Sequence, residues 1–558
     1  MVKFYMAKEL VSLIDFCKTQ GLSAKNATLG MLAIIWANDP ALCQAHNIIG
    51  NDALNGWFNE HPTQLDFFTN CTLEEQAYFS STLYANLLEK LELSTLCTFF
   101  TPPFLANRLI KQIKGQNFEK FKTGNIADLS AGGGAFLLPT AIHLLKCWSS
   151  ESPKEQLKKL ECSLIGVDIC QDLLELCSVY LYRLCSDLIN ESGYKPKWKL
   201  YCKNTLDVEF IGDVDIVLCN PPYRKLTKIE HKKYKPNFHY VMNANSNLYA
   251  LFIQQAINLS KNDALIGYVT PASLLTGAHF KNARDFITKN AKVKSIDLME
   301  GRNKYFSFVL QETILFSIDK GKYAPCKTKL YEINSSGEEK RLGNIEIVKG
   351  KNEWICYRSN QQKDLVKLIK KQKYDLNSLG FKVNIGGYVW NRDLSEKQTK
   401  SLSDPLFFPV IYPEMIKASG VKLDCFKENK NKARWIKPRS IGLLKRVPSL
   451  VLKRTRTSCG AHTLSTALID IAFIDKYHAY VPENHVIYIT RDDNSLQALS
   501  ALEKLLSMEI VSNLHACVNS TNSVSKSSLL NIPMPSPEVF EKLIANSISD
   551  YELIKDLY

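Results

Sequence analysis

Asn220-Pro-Pro-Tyr223 closes the short apolar run Asp215-Ile-Val-Leu-Cys219. An amide, a backbone carbonyl and an aromatic ring therefore stand at the end of what reads as a buried strand. The two prolines, Pro221 and Pro222, fix φ and remove two backbone donors, so the loop presents carbonyl oxygens rather than N–H groups. Asn220 Oδ1 and the Pro221 carbonyl can both accept from one NH₂ group, while Tyr223 supplies a stacking face. Together they make a receptor for a planar ring carrying an exocyclic amine. A strand-ending turn uses the same residue types, so the surrounding chain has to decide between the two readings.

Three upstream positions bear on that choice. Asp128-Leu-Ser-Ala-Gly-Gly-Gly-Ala-Phe-Leu137 follows an apolar strand and opens a helix. Consecutive glycines let the backbone approach a ligand closely and leave N–H groups pointing outward. No Gly-Lys-Ser/Thr follows, so this is not a phosphate-binding P-loop. Asp128 repels phosphate and attracts a cation, which suits a cofactor with an amino group and a sulfonium better than ATP or NAD. Asp168 ends the next strand, where an acid is placed to take ribose hydroxyls. It lies 40 residues past Asp128, against about 20 in a compact nucleotide-binding fingerprint. The excess maps to the Lys/Glu/Ser-rich stretch 149–160, read as a surface insertion. Asn204, just before the strand that leads to Asn220, is positioned to read an adenine edge, with Asp207 as a less favoured substitute.

Positioning those residues requires alternating strands and helices. Apolar strands are expected over 126–129, 163–167, 215–219, 264–270, 293–299 and 313–318, with helices at 135–147, 171–187, 246–259 and 277–289. That alternation implies a mostly parallel sheet covered on both faces. Residues 1–95 read as helical, with Leu10, Leu13, Ile14 and Cys17 at helical spacing. The expected organisation is a helical N-terminal region (1–95), a catalytic α/β domain (96–320), a Lys-rich connector (321–380) and a mixed, strand-rich module (381–558) with a helix near 496–514.

Composition narrows the class. The 558 residues exceed one ordinary core. A hydrophobic content of 45% with 23% charged residues belongs to a soluble globular chain. A net charge of +14 favours a polyanionic partner such as nucleic acid. The 16 cysteines show no CxxC pair, which argues for reduced thiols in a cytoplasm and against a metal site. Lys8 and Glu9 interrupt any signal peptide, and the apolar window 29–37 is too short for a membrane span.

The order Thr98-Phe-Phe-Thr-Pro-Pro103, Asp128 to Gly134-Ala-Phe, Asp168, Asn204 and Asn220-Pro-Pro-Tyr223 resembles the gamma-class amino DNA methyltransferases. These type II modification enzymes methylate adenine N6 with S-adenosylmethionine. Asn247-Leu-Tyr-Ala-Leu-Phe-Ile253, Tyr268-Val-Thr-Pro-Ala-Ser-Leu274 and Tyr305-Phe-Ser-Phe308 extend the likeness, which covers about residues 97–320. Leu129-Ser-Ala stands where the family often has Pro-Ala-Cys. The resemblance implies a Rossmann-like methyltransferase sheet with a helical N-terminal extension and a mixed α/β C-terminal DNA-recognition domain. It also implies that Thr101, Pro102, Asp128, Ser130, Gly132 and Gly134 hold the methionine part of the cofactor. Asp168 would take its ribose and Asn204 its adenine, with Asn220 adjoining both substrates.

On the catalytic side, Asn220 and Pro221 would accept from the target amine and Tyr223 would stack on its ring. Phe306 is expected to stack opposite, with Phe308 as the alternative. The target base must leave the duplex to reach such a pocket. Arg224, Lys225, Lys228, Lys232 and Lys233 follow Tyr223 directly and are expected to contact phosphates. Arg434, Lys437, Lys453, Arg454 and Arg456 are expected to do the same from the C-terminal module. The partners implied are double-stranded DNA and a separate cognate restriction endonuclease, with no membrane and no metal. Two readings keep the chemistry and change the context: a modification subunit of a multisubunit restriction system, and an RNA or protein methyltransferase.

Overall fold

A computed structural model describes residues 8–89, 100–209, 212–299, 312–321, 327–334, 337–348, 353–371, 373–398, 405–427, 432–454, 464–518 and 524–557. The chain divides into two compact units, Met1–Asn352 and Glu353–Tyr558.

The first unit is built on a nine-stranded sheet. Its strands are β1 (Ile126–Asp128), β2 (Leu164–Asp168), β3 (Lys199–Cys202), β4 (Val214–Cys219), β5 (Ser260–Pro271), β6 (Ala291–Met299), β7 (Thr313–Lys320), β8 (Lys327–Ile333) and β9 (Glu339–Glu346). They lie in the order β3-β2-β1-β4-β5-β7-β6-β8-β9. The strands from β3 to β5 are all parallel, and β7 runs antiparallel between β5 and β6. Parallel strands covered on both faces need near-continuous apolar sequence. Val214-Asp-Ile-Val-Leu-Cys219 meets that need, with only Asp215 partly exposed at its start.

Helices Pro103–Gln116 and Leu137–Cys147 pack against each other, and Leu248–Leu259 packs with Lys281–Asn290 and β5. All six strands read from apolar runs are present, one shifted by a single residue and the others longer or shorter by one to five residues. The three that were not read, β3, β8 and β9, carry many exposed positions and lack an apolar run.

The N-terminal helices between Lys8 and Leu87 belong to this same unit. Leu10, Leu13, Ile14 and Cys17 are buried in one cluster with Leu105, Leu137 and Tyr180. Ser80 and Tyr180 share a buried hydroxyl hydrogen bond of 2.9 Å, and Lys25 pairs with Asp172 and Glu175 at 2.8 Å each. The helical region is thus part of the catalytic unit's core. The stretch 149–160 contributes to a helix, Pro153–Ser163, started by a Ser152/Glu155 capping box and docked through buried Leu157 and Leu160.

Residues 321–380, read as a connector, are divided between the units. β8 and β9 extend the large sheet, whereas the Lys-rich helix Asn360–Lys371 lies in the second unit with Leu365, Val366 and Ile369 buried. The second unit also holds an antiparallel sheet of Phe381–Ile385, Val486–Arg491, Ser449–Lys453 and Thr466–Ile469. A smaller mixed sheet contains Glu396–Gln398, Trp435–Lys437, Phe408–Ile411 and Val481–Pro482. The helix expected near 496–514 is two helices, Leu496–Ser507 and Glu509–Val518.

Candidate active site

Strand order reverses between β1 and β4, with β2 on one side and β5 on the other. The crevice beyond the carboxyl ends of such strands is where an open α/β sheet takes its ligands. Register then decides which side chains meet there. Asp128 pairs with Gly166 of β2 and with Leu218 of β4. Asp168 and Asn220 each lie two residues beyond those partners, so the three polar positions emerge side by side.

Asp128 is 1% exposed. Its Oδ1 accepts from the Ser130 backbone N–H at 3.0 Å, while Oδ2 is buried and has no hydrogen-bond partner. Burial pushes its carboxyl up to about 8; the Ser130 N–H opposes the rise and the Asp168 charge adds to it. A buried carboxylate with an open oxygen is an acceptor awaiting a cationic or N–H donor.

The glycine loop is shaped by φ and by its neighbours. Gly132 and Gly134 have φ of +47° and +92°, a region side chains rarely adopt. A Cβ at Gly133 would stand 2.0 Å from Ser81 Oγ, so the helix Leu73–Leu87 closes directly onto the loop. A Cβ at Gly132 would meet the Phe100 ring at 3.2 Å. Thr101 follows Phe100; its hydroxyl is buried and unpartnered, and Pro102 caps the helix Pro103–Gln116.

Asp168 accepts from Gly132 N–H at 2.8 Å through Oδ2 and from Cys170 N–H at 2.9 Å through Oδ1. Burial raises its carboxyl, and those N–H groups pull it back. Asn204 is committed within the chain. Its Oδ1 accepts from Leu206 N–H at 3.1 Å, and its Nδ2 donates to Tyr234 Oη at 2.8 Å and Asp207 Oδ2 at 3.2 Å. Ser130 works between loops, because its Oγ donates to the Asn220 carbonyl at 3.0 Å and lies 3.1 Å from Cys219 Sγ.

At Asn220 the amide is held by the loop it opens. Tyr223 Oη donates to Asn220 Oδ1 at 2.5 Å. An amide oxygen carries two lone pairs, so this bond does not exhaust what Oδ1 can accept. Burial holds the Tyr223 phenol well above its ordinary range, so it stays protonated. Its ring stands edge-on to Tyr249 at 6.2 Å, and Tyr249 stacks on Phe280 at 4.7 Å. This aromatic wall was not read from the sequence. Tyr249 and Phe280 carry no local pattern that distinguishes them from core residues.

Beyond Tyr223 the chain is braced. Leu226 N–H donates to the Ser246 carbonyl at 3.0 Å and Leu248 N–H to the Arg224 carbonyl at 2.9 Å. Arg224 grips Glu230 bidentately at 2.8 and 2.6 Å, which holds the Glu230 carboxyl down at about 2. Thr227 and Glu230 form a capping box for the helix Lys228–Phe238. This brace was not read from the sequence, although its capping box follows the local Thr227-x-x-Glu230 pattern. Lys225, Lys228 and Lys232 are exposed, and Lys233 pairs with Asp207 at 2.7 Å.

In the second unit, Arg434 bonds the Phe426 carbonyl at 3.3 Å and lies 3.5 Å from Asp424. Lys437 lies 3.7 Å from Glu396. Arg454 donates to the Asn484 carbonyl at 2.6 Å. Lys453 is half-buried, and burial, with Lys417 nearby, lowers its ammonium below the ordinary range. Phe306, Phe308 and Arg456 lie outside the described residues. Among the described residues, no cluster of three or more His, Cys, Asp or Glu side chains could hold a metal ion, and no helix is long and apolar enough to cross a membrane.

The sheet order, the glycine loop and the Asn-Pro-Pro-Tyr loop define a methyltransferase with a Rossmann-like sheet. Residues 158–306 match the Eco57I restriction-modification methylase family. The chain is 25% identical to the Type II methyltransferase M.BsuBI of Bacillus subtilis over 458 residues, 77% of this chain and 83% of that protein. It is 23% identical to the Type II methyltransferase M.PstI of Providencia stuartii over 313 residues, 54% of this chain and 59% of that protein. In fold it is similar to the Type IIL restriction-modification enzyme MmeI in complex with DNA, with a TM-score of 0.54 and 12% identity over 84% of this chain and 72% of that one. The DrdV–DNA complex gives a TM-score of 0.50 and 12% identity over 96% and 68%. The chain is a site-specific DNA methyltransferase, and its cofactor is S-adenosylmethionine.

Proposed function

We propose that this methyltransferase modifies N6 of adenine, extruded from a specific duplex sequence, through the loop Asn220–Tyr223. The observation that carries this reading is the bond from Tyr223 Oη to Asn220 Oδ1 at the end of β4, the strand paired with β1, where Asp128 Oδ2 is buried without a partner. It orients the amide oxygen at the end of β4, next to a loop suited to a cofactor with an ammonium group. The bound cofactor supplies an electrophilic methyl group.

An adenine N6 lone pair is delocalised into the ring and is a poor nucleophile. Asn220 Oδ1 and the Pro221 carbonyl accept from its two N–H groups and draw the nitrogen toward tetrahedral geometry. They also stabilise the positive charge that develops on it, in a site partly shielded from water. The methyl group would pass to N6 from the cofactor's sulfonium, whose sulfur would keep the S–CH₃ electron pair. N6 then loses one proton to solvent. Tyr223 positions the amide and offers its ring to the base.

For the cofactor, Asp128 Oδ2 takes the ammonium, with Thr101 and the backbone of Gly132–Gly134 around the methionine chain. Asp168 has lone pairs left for ribose hydroxyls. The amide of Asn204 is engaged within the chain, so any contact it makes with the adenine requires that bonding to change. Lys225, Lys228 and Lys232, with the basic residues of the second unit, are assigned to phosphates. A separate endonuclease would cut the unmodified sequence.

The test is incubation of the purified chain and labelled cofactor with duplex DNA, followed by nucleoside analysis. Label in N6-methyladenine is expected. Label only in methylcytosine, RNA or protein refutes the reading. Asn220→Ala is expected to keep cofactor binding and lose about 100-fold or more in turnover, and unchanged turnover would remove the role given to that amide.

A further inference from the structure

Ile229 is the most exposed large apolar side chain among the described residues, at 83%. It is the second residue of the helix Lys228–Phe238, six positions after Tyr223. Its backbone is held where it stands. The Thr227/Glu230 capping box fixes the first turn, Arg224 clamps Glu230, and the segment between is bonded to Ser246 and Leu248. Exposed lysines lie near it in the sequence. Lys228 is adjacent, Lys232 lies one helical turn on, and Lys225 and Lys235 are nearby in sequence. A rigidly mounted aliphatic side chain beside exposed lysines matches the surface of a duplex. Phosphates meet the lysines, and the apolar interior of the base stack meets the isoleucine.

We infer that Ile229 is a wedge that enters the base stack when the target base leaves it. The inference rests on the proposed extrusion of the target adenine. Extrusion leaves a gap between neighbouring base pairs, and apolar side chains inserted between base steps are a known way to hold a duplex unstacked. Water filling that gap would give back none of the lost stacking. Ile229 exchanges its own exposure for contact with the flanking bases, so it stabilises the extruded state relative to the closed duplex.

The experiment uses the full chain, S-adenosylmethionine and two synthetic duplexes. The site is first mapped by methyladenine sequencing of DNA from cells expressing the chain. One duplex carries the site intact. The other has an abasic residue opposite the target, so the base is already unpaired. Single-turnover rates are measured for wild type, Ile229→Ala and Ile229→Phe. Ile229→Ala is expected to be about tenfold slower on the intact duplex and within about twofold of wild type on the abasic one. Ile229→Phe should stay near wild type on both. Equal slowing of Ile229→Ala on the two duplexes, or no slowing on the intact one, overturns the wedge. Wild-type chain that methylates no adenine in either duplex instead refutes the underlying reading, and the wedge with it.

Discussion

Replacing Asp128 with asparagine tests the cofactor side of the site through stability as well as binding. In the ligand-free fold the Asp128 carboxyl is pushed from 3.8 to about 8, mainly by burial. A raised carboxyl means the folded state binds more protons than the unfolded chain between those values. Stability is therefore fully present below about pH 4 and is lost as pH rises toward 8, by up to about 1.4 kcal/mol per pH unit. At pH 7 the accumulated loss has a ceiling of about 4 kcal/mol. The substituted amide does not ionise, but its buried NH₂ group would lack an acceptor, at about 1–3 kcal/mol.

Without cofactor, Asp128→Asn should melt below wild type at about pH 4 and above it at pH 8 to 9, the two curves crossing between. With S-adenosylmethionine wild type should melt above the variant at pH 8 to 9 too, because the ammonium offsets the buried charge in wild type alone. Loss of one partner of a buried pair, about 3–5 kcal/mol, predicts cofactor binding weakened by more than 100-fold. Thermal melts from pH 4 to 9, with and without cofactor, and calorimetry of binding make the measurement. A difference between the two proteins that does not vary with pH would refute the burial argument. Unchanged cofactor affinity would refute the role of Oδ2.

Tyr223→Phe keeps the ring and removes the bond to Asn220. One such bond contributes about 0.5–1.5 kcal/mol, so kcat should fall about 2–12-fold in steady-state assays, with KM for DNA little changed; a loss as large as that of Asn220→Ala would contradict a positioning role. Gly133→Ala drives a methyl into Ser81 Oγ and should destabilise the chain by about 1–3 kcal/mol in denaturant melts. Adding Ser81→Ala should recover most of that loss, and no recovery would mean the strain lies elsewhere. Glu230→Gln breaks the grip of Arg224. Because the Glu230 carboxyl is held at about 2, that stabilisation is present above about pH 4.5 and disappears as pH falls through 2. The pair is about a quarter exposed, so the variant should lose about 1–2 kcal/mol at pH 7 and nothing relative to wild type at pH 2. Equal loss at both values would exclude the ion pair as the cause.

The alternation of apolar strands and helices was legible because strands buried on both faces must be apolar throughout. The same rule explains why β3, β8 and β9 were not read: they lie toward the two ends of the sheet, carry exposed residues, and leave no such run. The stretch 321–380 looked like a linker because it is polar, yet pairing with β6 makes part of it sheet. Asn220, Asp128 and Asp168 could be chosen from residue type and position at strand ends. How they are engaged could not, because hydrogen-bond partners come from other parts of the chain.

By itself the sequence determined the chemistry on offer: two loop carbonyl acceptors, a ring, a glycine turn and two strand-end acids, in an order that identifies a methyltransferase. Tertiary structure decided their use. Register between β1, β2 and β4 brought the three polar positions together. Packing gave Ser130 to the Asn220 carbonyl rather than to a ligand, turned the Asn204 amide inward, and left Asp128 Oδ2 open. Local sequence sets which groups exist and what each can donate or accept. Which of those capacities is already satisfied depends on groups brought close only by folding, and the unsatisfied remainder is what the site can offer a ligand.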